Sequence, residues 1–147
     1  MLLAKGIWIV VADGEKALVL ENRGTVGAPD LVLVFRAEAP EVIEASDRPG
    51  RMADVGPGHR SAMEQPDFHR LTAETFAGDL VEALAARAGA GAMNKLVLAA
   101  PPQVLGALRE AMPESLAKVV VAEIDKTLTR HPVPKIAEIV AAEIDSL

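Results

Sequence analysis

One stretch of the chain combines side-chain and backbone features that suit the binding of an anion. Residues 46–66, SDRPGRMADVGPGHRSAMEQP, contain three arginines and three glycines. The forked N–H donors of arginine match the oxygens of phosphate and carboxylate groups. The arginines are Arg48, Arg51 and Arg60. Gly56 and Gly58 permit close approach of a ligand, and backbone N–H groups beside them can form an anion-binding nest. The pattern predicts an anion-binding loop.

A second interpretation of the same stretch is structural. Asp47, Asp54 and Glu64 balance the charge of the arginines, so that the arginines can instead pair with these acids and hold the loop on the domain. Ordered loops longer than about 12–15 residues are uncommon in compact domains and usually serve a function or are disordered. The residues leave both interpretations open. The SAME motif at 61–64 has capping-box spacing, but Pro66 predicts no more than one isolated helical turn there.

His59 is the candidate catalytic residue of the loop. The chain has three histidines, and none has the spacing of a metal-ligating motif. We find no Walker pattern, no GxGxxG motif and no GxSxG nucleophile elbow. We therefore expect no metal and no cofactor. An ester or peptidyl-tRNA hydrolase acting through His59 is a minor alternative to a binding role.

The carboxylates do not form a convincing nuclease centre. Two-metal chemistry needs acids that converge from several elements. Asp13 ends the first predicted strand, Glu74 and Asp79 lie on a predicted helix, and Asp125 follows the last strand. The strand ending LVLAAPP supplies no acid, so we interpret these residues as turn and surface carboxylates.

A second, weaker site follows the last predicted strand, in EIDKTLTR at 123–130. Lys126, Thr127, Thr129 and Arg130 end the sheet where open α/β sheets tend to bind ligands. Lys126 joins the predicted anion-binding residues. An exposed connection into the last helix explains the same residues without a ligand.

Length and composition limit the classes of protein to which this chain can belong. A chain of 147 residues fits a single domain, 1–147, with the long loop at 46–66. The net charge of −6 argues against broad non-specific binding to nucleic acid, although a local basic site is compatible with it. There are no cysteines, and no apolar run is long enough for a membrane span. We expect a soluble, cytoplasmic protein.

Hydrophobic patterning supplies the elements that must position these residues. Apolar runs predict strands, and apolar residues at helical spacing predict helices. The predicted strands are 7–12, 17–21, 31–37, 95–100 and 118–124. The predicted helices begin at Asp67, after Pro101-Pro102 and near Pro134. Short connections make the first three strands antiparallel, and the later crossovers make the remaining strands parallel. The result is an α/β fold with a five-stranded mixed sheet, in the order βββ-α-β-α-β-α, which matches a ribonuclease-H-like topology.

Several segments in order resemble the bacterial host-attachment protein family, whose members are described as required for attachment to host cells. They are WIVVADGEKALVL, SDRPGR, GHRSAME, KLVLAAPPQVLGALR and VVAEIDKTLT. This family is grouped with bacterial relatives of the archaeo-eukaryotic peptide-release factors. The resemblance implies a fold similar to the middle, ribonuclease-H-like domain of those factors.

The resemblance also implies partners. In release factors a Gly-Gly-Gln loop before a long helix enters the ribosomal peptidyl-transferase centre. Residues 56–60 here read Gly-Pro-Gly-His-Arg at the corresponding place, so the resemblance implies docking on the ribosome or tRNA rather than peptide release. The family name implies a second function, host attachment through a protein partner.

Overall fold

The computed structural model describes residues 2–38, 61–89 and 93–146, with only the backbone described at 61–73. Five strands and four helices lie in these ranges. The strands are β1 (Ile7–Ala12), β2 (Lys16–Asn22), β3 (Leu31–Glu38), β4 (Lys95–Ala99) and β5 (Val120–Ile124). The helices are α1 (Ser61–Gly89), α2 (Pro102–Ala111), α3 (Glu114–Ala117) and α4 (Val133–Asp145). The fold is therefore α/β, as the patterning predicts.

The strands form one mixed sheet in the order β3-β2-β1-β4-β5. Strand β2 is antiparallel to β1 and to β3, whereas β4 is parallel to β1 and to β5. Strands β1, β3, β4 and β5 consequently run in the same direction. The order confirms the three antiparallel neighbours and the mixed five-stranded sheet predicted from the sequence.

Strand β1 occupies the centre because every residue in its run, IWIVVA, is apolar and buried. Its side chains alternate between two hydrophobic layers, as the period of a strand requires. Trp8, Val10 and Ala12 face the layer that contains helices α1, α2 and α3. The intervening residues of β1 face the layer beneath α4. Burial on both faces explains why this strand lacks the polar alternation of a surface strand.

Each face of the sheet is covered by helices with an apolar stripe. Helix α1 contributes Phe76, Leu80 and Leu84 to one layer. Helix α4 contributes Ile136, Val140 and Ile144 to the other, at the i, i+4 spacing that places residues on one helix face. Each such fully buried side chain stabilises the fold by about 1.5–3 kcal/mol. None of the helices within the described ranges is both long and apolar enough to cross a lipid bilayer.

Helix α1 corrects the prediction that a loop extends to residue 66 and that the helix begins at Asp67. The helix starts at Ser61 and continues through Pro66 to Gly89. Pro66 removes one backbone hydrogen bond, but packing of an apolar face onto a sheet contributes more to helix stability than local propensity does. The carboxyl-terminal half of this 29-residue helix is packed in that way.

Two smaller differences lie between β4 and β5. Helix α3, which spans only four residues, was not predicted because apolar periodicity is not visible over so short a length. Strand β5 begins at Val120 rather than at Lys118. The N–H groups of Lys118 and Val119 donate to the carbonyls of Glu114 and Leu116, which keeps both residues in the end of the helical turn.

Candidate functional site

The strand directions bring several polar segments to one end of the sheet, which we call the carboxyl end. Here β1, β3, β4 and β5 terminate and β2 begins. The carboxyl end comprises the β1–β2 turn at 13–15, the end of β3 at Glu38, the start of α2, and the β5–α4 connection at 125–132. Ligands of open α/β sheets bind preferentially at such an end. The second predicted site, at 123–130, lies here.

Asp13 organises the β1–β2 turn. One carboxylate oxygen, Oδ1, accepts hydrogen bonds from the backbone N–H groups of Glu15 at 2.7 Å and Lys16 at 2.8 Å. The other oxygen, Oδ2, accepts a hydrogen bond from the Thr129 hydroxyl at 2.8 Å. Burial by itself raises the pKa of Asp13, but these hydrogen bonds and the charge of Lys16 outweigh it. The pKa of the carboxyl consequently lies below its ordinary value.

The Asp13–Thr129 hydrogen bond joins two segments that are 116 residues apart in the chain. Thr129 is buried, and it belongs to a turn in which the His131 N–H donates to the Leu128 carbonyl at 3.1 Å. The bond therefore fixes the middle of the β5–α4 connection against the end of β1. Asp13 acts here as a structural anchor, in agreement with its interpretation as a turn residue.

Replacing Asp13 by asparagine is expected to lower the free energy of unfolding by about 1 kcal/mol at neutral pH, because the charge strengthens all three hydrogen bonds. Urea unfolding of both proteins between pH 7 and pH 3 measures the effect. A pKa lowered in the folded state gives stabilisation that is complete above the unfolded pKa of about 4 and is lost as the pH falls through the folded pKa. The difference between the two proteins should therefore shrink below about pH 4.

A matched pair of threonines controls this experiment. Thr129→Val removes the buried donor to Asp13, whereas Thr127→Val makes the same change at an exposed position of the same connection. We expect Thr129→Val to be destabilising and Thr127→Val to change stability by less than about 0.5 kcal/mol. Equal effects of the two substitutions would contradict the anchoring role of the Asp13–Thr129 hydrogen bond.

Lys126, predicted to bind an anion, lies in the β5–α4 connection and already has a carboxylate partner. Its Nζ atom is 3.3 Å from Oε2 of Glu143, and both side chains are partly exposed. The ion pair brings the last turn of α4 back to the end of β5. An incoming anion would have to compete with Glu143 for this lysine.

The remaining predicted site residues lie outside the described residues. They are Arg48, Arg51, Gly56, Gly58, His59 and Arg60. The structure describes the point at which the chain leaves the sheet, which precedes these residues in the sequence. Glu38, the last residue of β3, lies opposite Lys16, whose N–H donates to Asp13. The chain therefore leaves β3 at the carboxyl end, next to the Asp13 turn.

The carboxylates considered for a nuclease centre do not form a metal-binding group among the described residues. Asp13 is occupied by its three donors, Asp125 is exposed in the β5–α4 connection, and Glu74 and Asp79 are exposed on α1. After β4 the chain has Ala100 rather than an acidic residue, and the N–H of Ala100 donates to the carbonyl of Ile124. Within the part of the chain that the structure describes, no three His, Cys, Asp or Glu side chains are grouped to hold a metal ion.

Two structural features at the site were missed by reasoning from the sequence. The Asp13–Thr129 contact has no sequence signal, because the two residues are far apart in the chain. The exposure of His131 beside Arg130, in the turn before Pro132, was also missed. Both features depend on how the β5–α4 connection folds back across the carboxyl end.

Comparison with known proteins gives one informative result. A family model described as bacterial archaeo-eukaryotic release factor family 12 matches residues 6–140. The match includes all five strands, helices α1, α2 and α3, and most of α4. A search of curated proteins found no match.

Proposed function

The chain belongs to bacterial archaeo-eukaryotic release factor family 12, and from this premise we propose that it is a non-enzymatic module that docks on ribosomal RNA or tRNA. The proposed docking element is the segment 46–60, which precedes α1. Arg48, Arg51 and Arg60 would contact phosphates, and Gly56 and Gly58 would permit close approach of the backbone. The observation that carries the proposal is the family match over residues 6–140.

The fold supports this proposal. The proposal includes a ribonuclease-H-like topology, which is supported by the strand order β3-β2-β1-β4-β5, in which only β2 runs against the other strands. The arginine-bearing segment connects β3 to the long helix α1. In the release factors that the sequence resembles, the loop before a long helix is the part that enters the ribosome. The connectivity therefore suits a docking role for this segment.

The residues of the loop favour binding over catalysis. Residues 56–60 read Gly-Pro-Gly-His-Arg, with no Gly-Gly-Gln and hence no glutamine to position a water. A hydrolase that acts through His59 is the lesser alternative. The second function implied by the sequence resemblance, attachment to host cells through a protein partner, is not part of the matching family's description. Recovery of the protein from the outer cell surface would favour it.

We expect the wild-type protein to sediment with purified ribosomes or to bind bulk tRNA, with an affinity that falls as salt rises. Counterion release from the phosphate backbone produces this salt dependence, at about 0.7 of a log unit in affinity per log unit of salt for each phosphate contacted in a single strand. Affinity capture from native lysate, with and without ribonuclease, identifies the partner. If the protein binds neither ribosomes nor tRNA, the proposed function is wrong.

A further inference from the structure

The β5–α4 connection contains a turn that presents two basic side chains on a firmly held backbone. The turn is formed by residues 128–131 and is closed by the hydrogen bond from His131 N–H to the Leu128 carbonyl. Its first two residues are buried, Leu128 at 2% and Thr129 at 7% exposure. The Thr129 hydroxyl also donates to Asp13. The next two residues, Arg130 and His131, are exposed. Immediately after them Pro132 occupies the N-cap position of α4, where its ring restricts the backbone further.

Arg130 and His131 differ from the other basic residues near them in their electrostatic partners. Lys126 is paired with Glu143, and Lys135 is paired with Glu138 at 2.9 Å. Among the residues that the structure describes, no carboxylate forms an ion pair with Arg130 or His131. A cation without a competing carboxylate loses less on binding an external anion. The structure thus favours these two residues over Lys126 as anion contacts.

The position of the turn relates it to the segment proposed to dock on RNA. A continuous series of contacts runs along the carboxyl end. Glu38 lies opposite Lys16, the Lys16 N–H donates to Asp13, and Asp13 accepts from Thr129, the residue before Arg130. The chain leaves the sheet at Glu38, so the turn lies beside that point of departure.

We infer that the turn 128–131 is a second RNA-contacting element, in which Arg130 and His131 bind phosphates. This inference rests on the proposed function. A phosphate backbone fits the turn because arginine offers a fork of N–H donors and the histidine ring offers a further N–H. The buried half of the turn limits the conformational entropy that is lost on binding.

The test measures the affinity of the protein for purified ribosomes and for bulk tRNA over a range of salt concentrations. Arg130→Ala is expected to reduce the slope of log affinity against log salt by about 0.7, the contribution of one single-strand phosphate contact. Affinity should fall about fivefold at 0.1 M salt for the same reason. His131→Ala should show a smaller loss of affinity. Thr129→Val keeps the charge but loosens the turn, and it should lower the affinity while leaving the slope unchanged.

Arg23→Ala is the control for the loss of one positive charge, because Arg23 is an exposed arginine in the β2–β3 turn at the opposite end of the sheet, where it is paired with Glu21 at 3.1 Å. If Arg130→Ala and Arg23→Ala have equal effects on slope and affinity, the inference is wrong while the proposed function stands. If wild type binds neither probe, the proposed function itself fails. If an acidic protein is captured even after ribonuclease treatment, and its capture requires Arg130, then the turn binds a protein partner and the RNA inference is wrong.

Discussion

Replacing Arg48, Arg51 and Arg60 together by alanine is expected to lower the affinity for ribosomes or tRNA about a hundredfold at 0.1 M salt. Each proposed phosphate contact releases condensed counterions and contributes about 0.7 to the slope of log affinity against log salt in a single strand. Loss of three contacts should therefore flatten that slope by about 2. Co-sedimentation with ribosomes at several salt concentrations measures both quantities.

The control for this variant must change the net charge equally without touching the carboxyl end. Lys5, Lys95 and Lys118 meet that requirement, because they are exposed and lie just before or at the start of β1, β4 and β5. Removing either set of three cations changes the net charge from −6 to −9. We expect the lysine variant to keep nearly all of its affinity. Unchanged co-sedimentation of the arginine variant, or equal losses in both variants, would contradict docking through residues 46–60.

Replacing Asn22 by alanine is expected to lower the free energy of unfolding by about 3 kcal/mol. The fully buried side chain donates from Nδ2 to the carbonyls of Leu3 and Ala4, at 3.1 and 3.3 Å. Its Oδ1 accepts from the N–H groups of Gly24 and Asp30, both at 2.9 Å. Asn22 thereby joins the segment before β1 to the β2–β3 turn. Alanine would leave the Leu3 carbonyl and the N–H groups of Gly24 and Asp30 without this partner, at about 1–3 kcal/mol for each group that water cannot reach, whereas the Ala4 carbonyl would keep its hydrogen bond from the Ile7 N–H.

Urea unfolding followed by tryptophan fluorescence measures this loss. Trp8 is the only tryptophan and is buried against the α1 layer, so its emission reports the loss of the core. The melting temperature should fall by roughly 6–12 °C for a domain of this size. Asn94→Ala is the control, because Asn94 is exposed just before β4 and its removal should change stability by less than about 0.5 kcal/mol. An equally small effect of Asn22→Ala would show that the four hydrogen bonds contribute little.

The fold was predictable because its strands and its packed helices carry strong local patterns. Ile7–Ala12 is a continuous apolar run rich in β-branched residues, which favours a strand that is buried on both sides. The stripe of Ile136, Val140 and Ile144 predicts a helix with one apolar face. The predicted start of α1, after Pro66, was wrong. Proline is a local helix-breaking signal, and the sequence alone cannot show whether this signal or the packing of the long helix prevails.

The candidate site was predictable only in its residue types. Arginines and glycines at 46–60 indicate anion binding, and Lys126 was placed correctly after the last strand. The sequence could not show that Glu143 neutralises Lys126 while Arg130 and His131 are free of ion pairs within the described residues. Such differences arise from the path of α4, whose last turn returns to the end of β5.

By itself, the sequence determined the α/β class, the order of the five strands and the three longer helices, and the segment that is rich in arginine and glycine. These properties follow from periodicity and composition, which are local. Only the tertiary structure decided that Asp13 and Thr129 hold the β5–α4 connection at the carboxyl end, beside the departure of the chain from β3 at Glu38. Parallel strands place the ends of distant segments together. A contact between residues 116 positions apart depends on that three-dimensional arrangement and leaves no local pattern in the sequence.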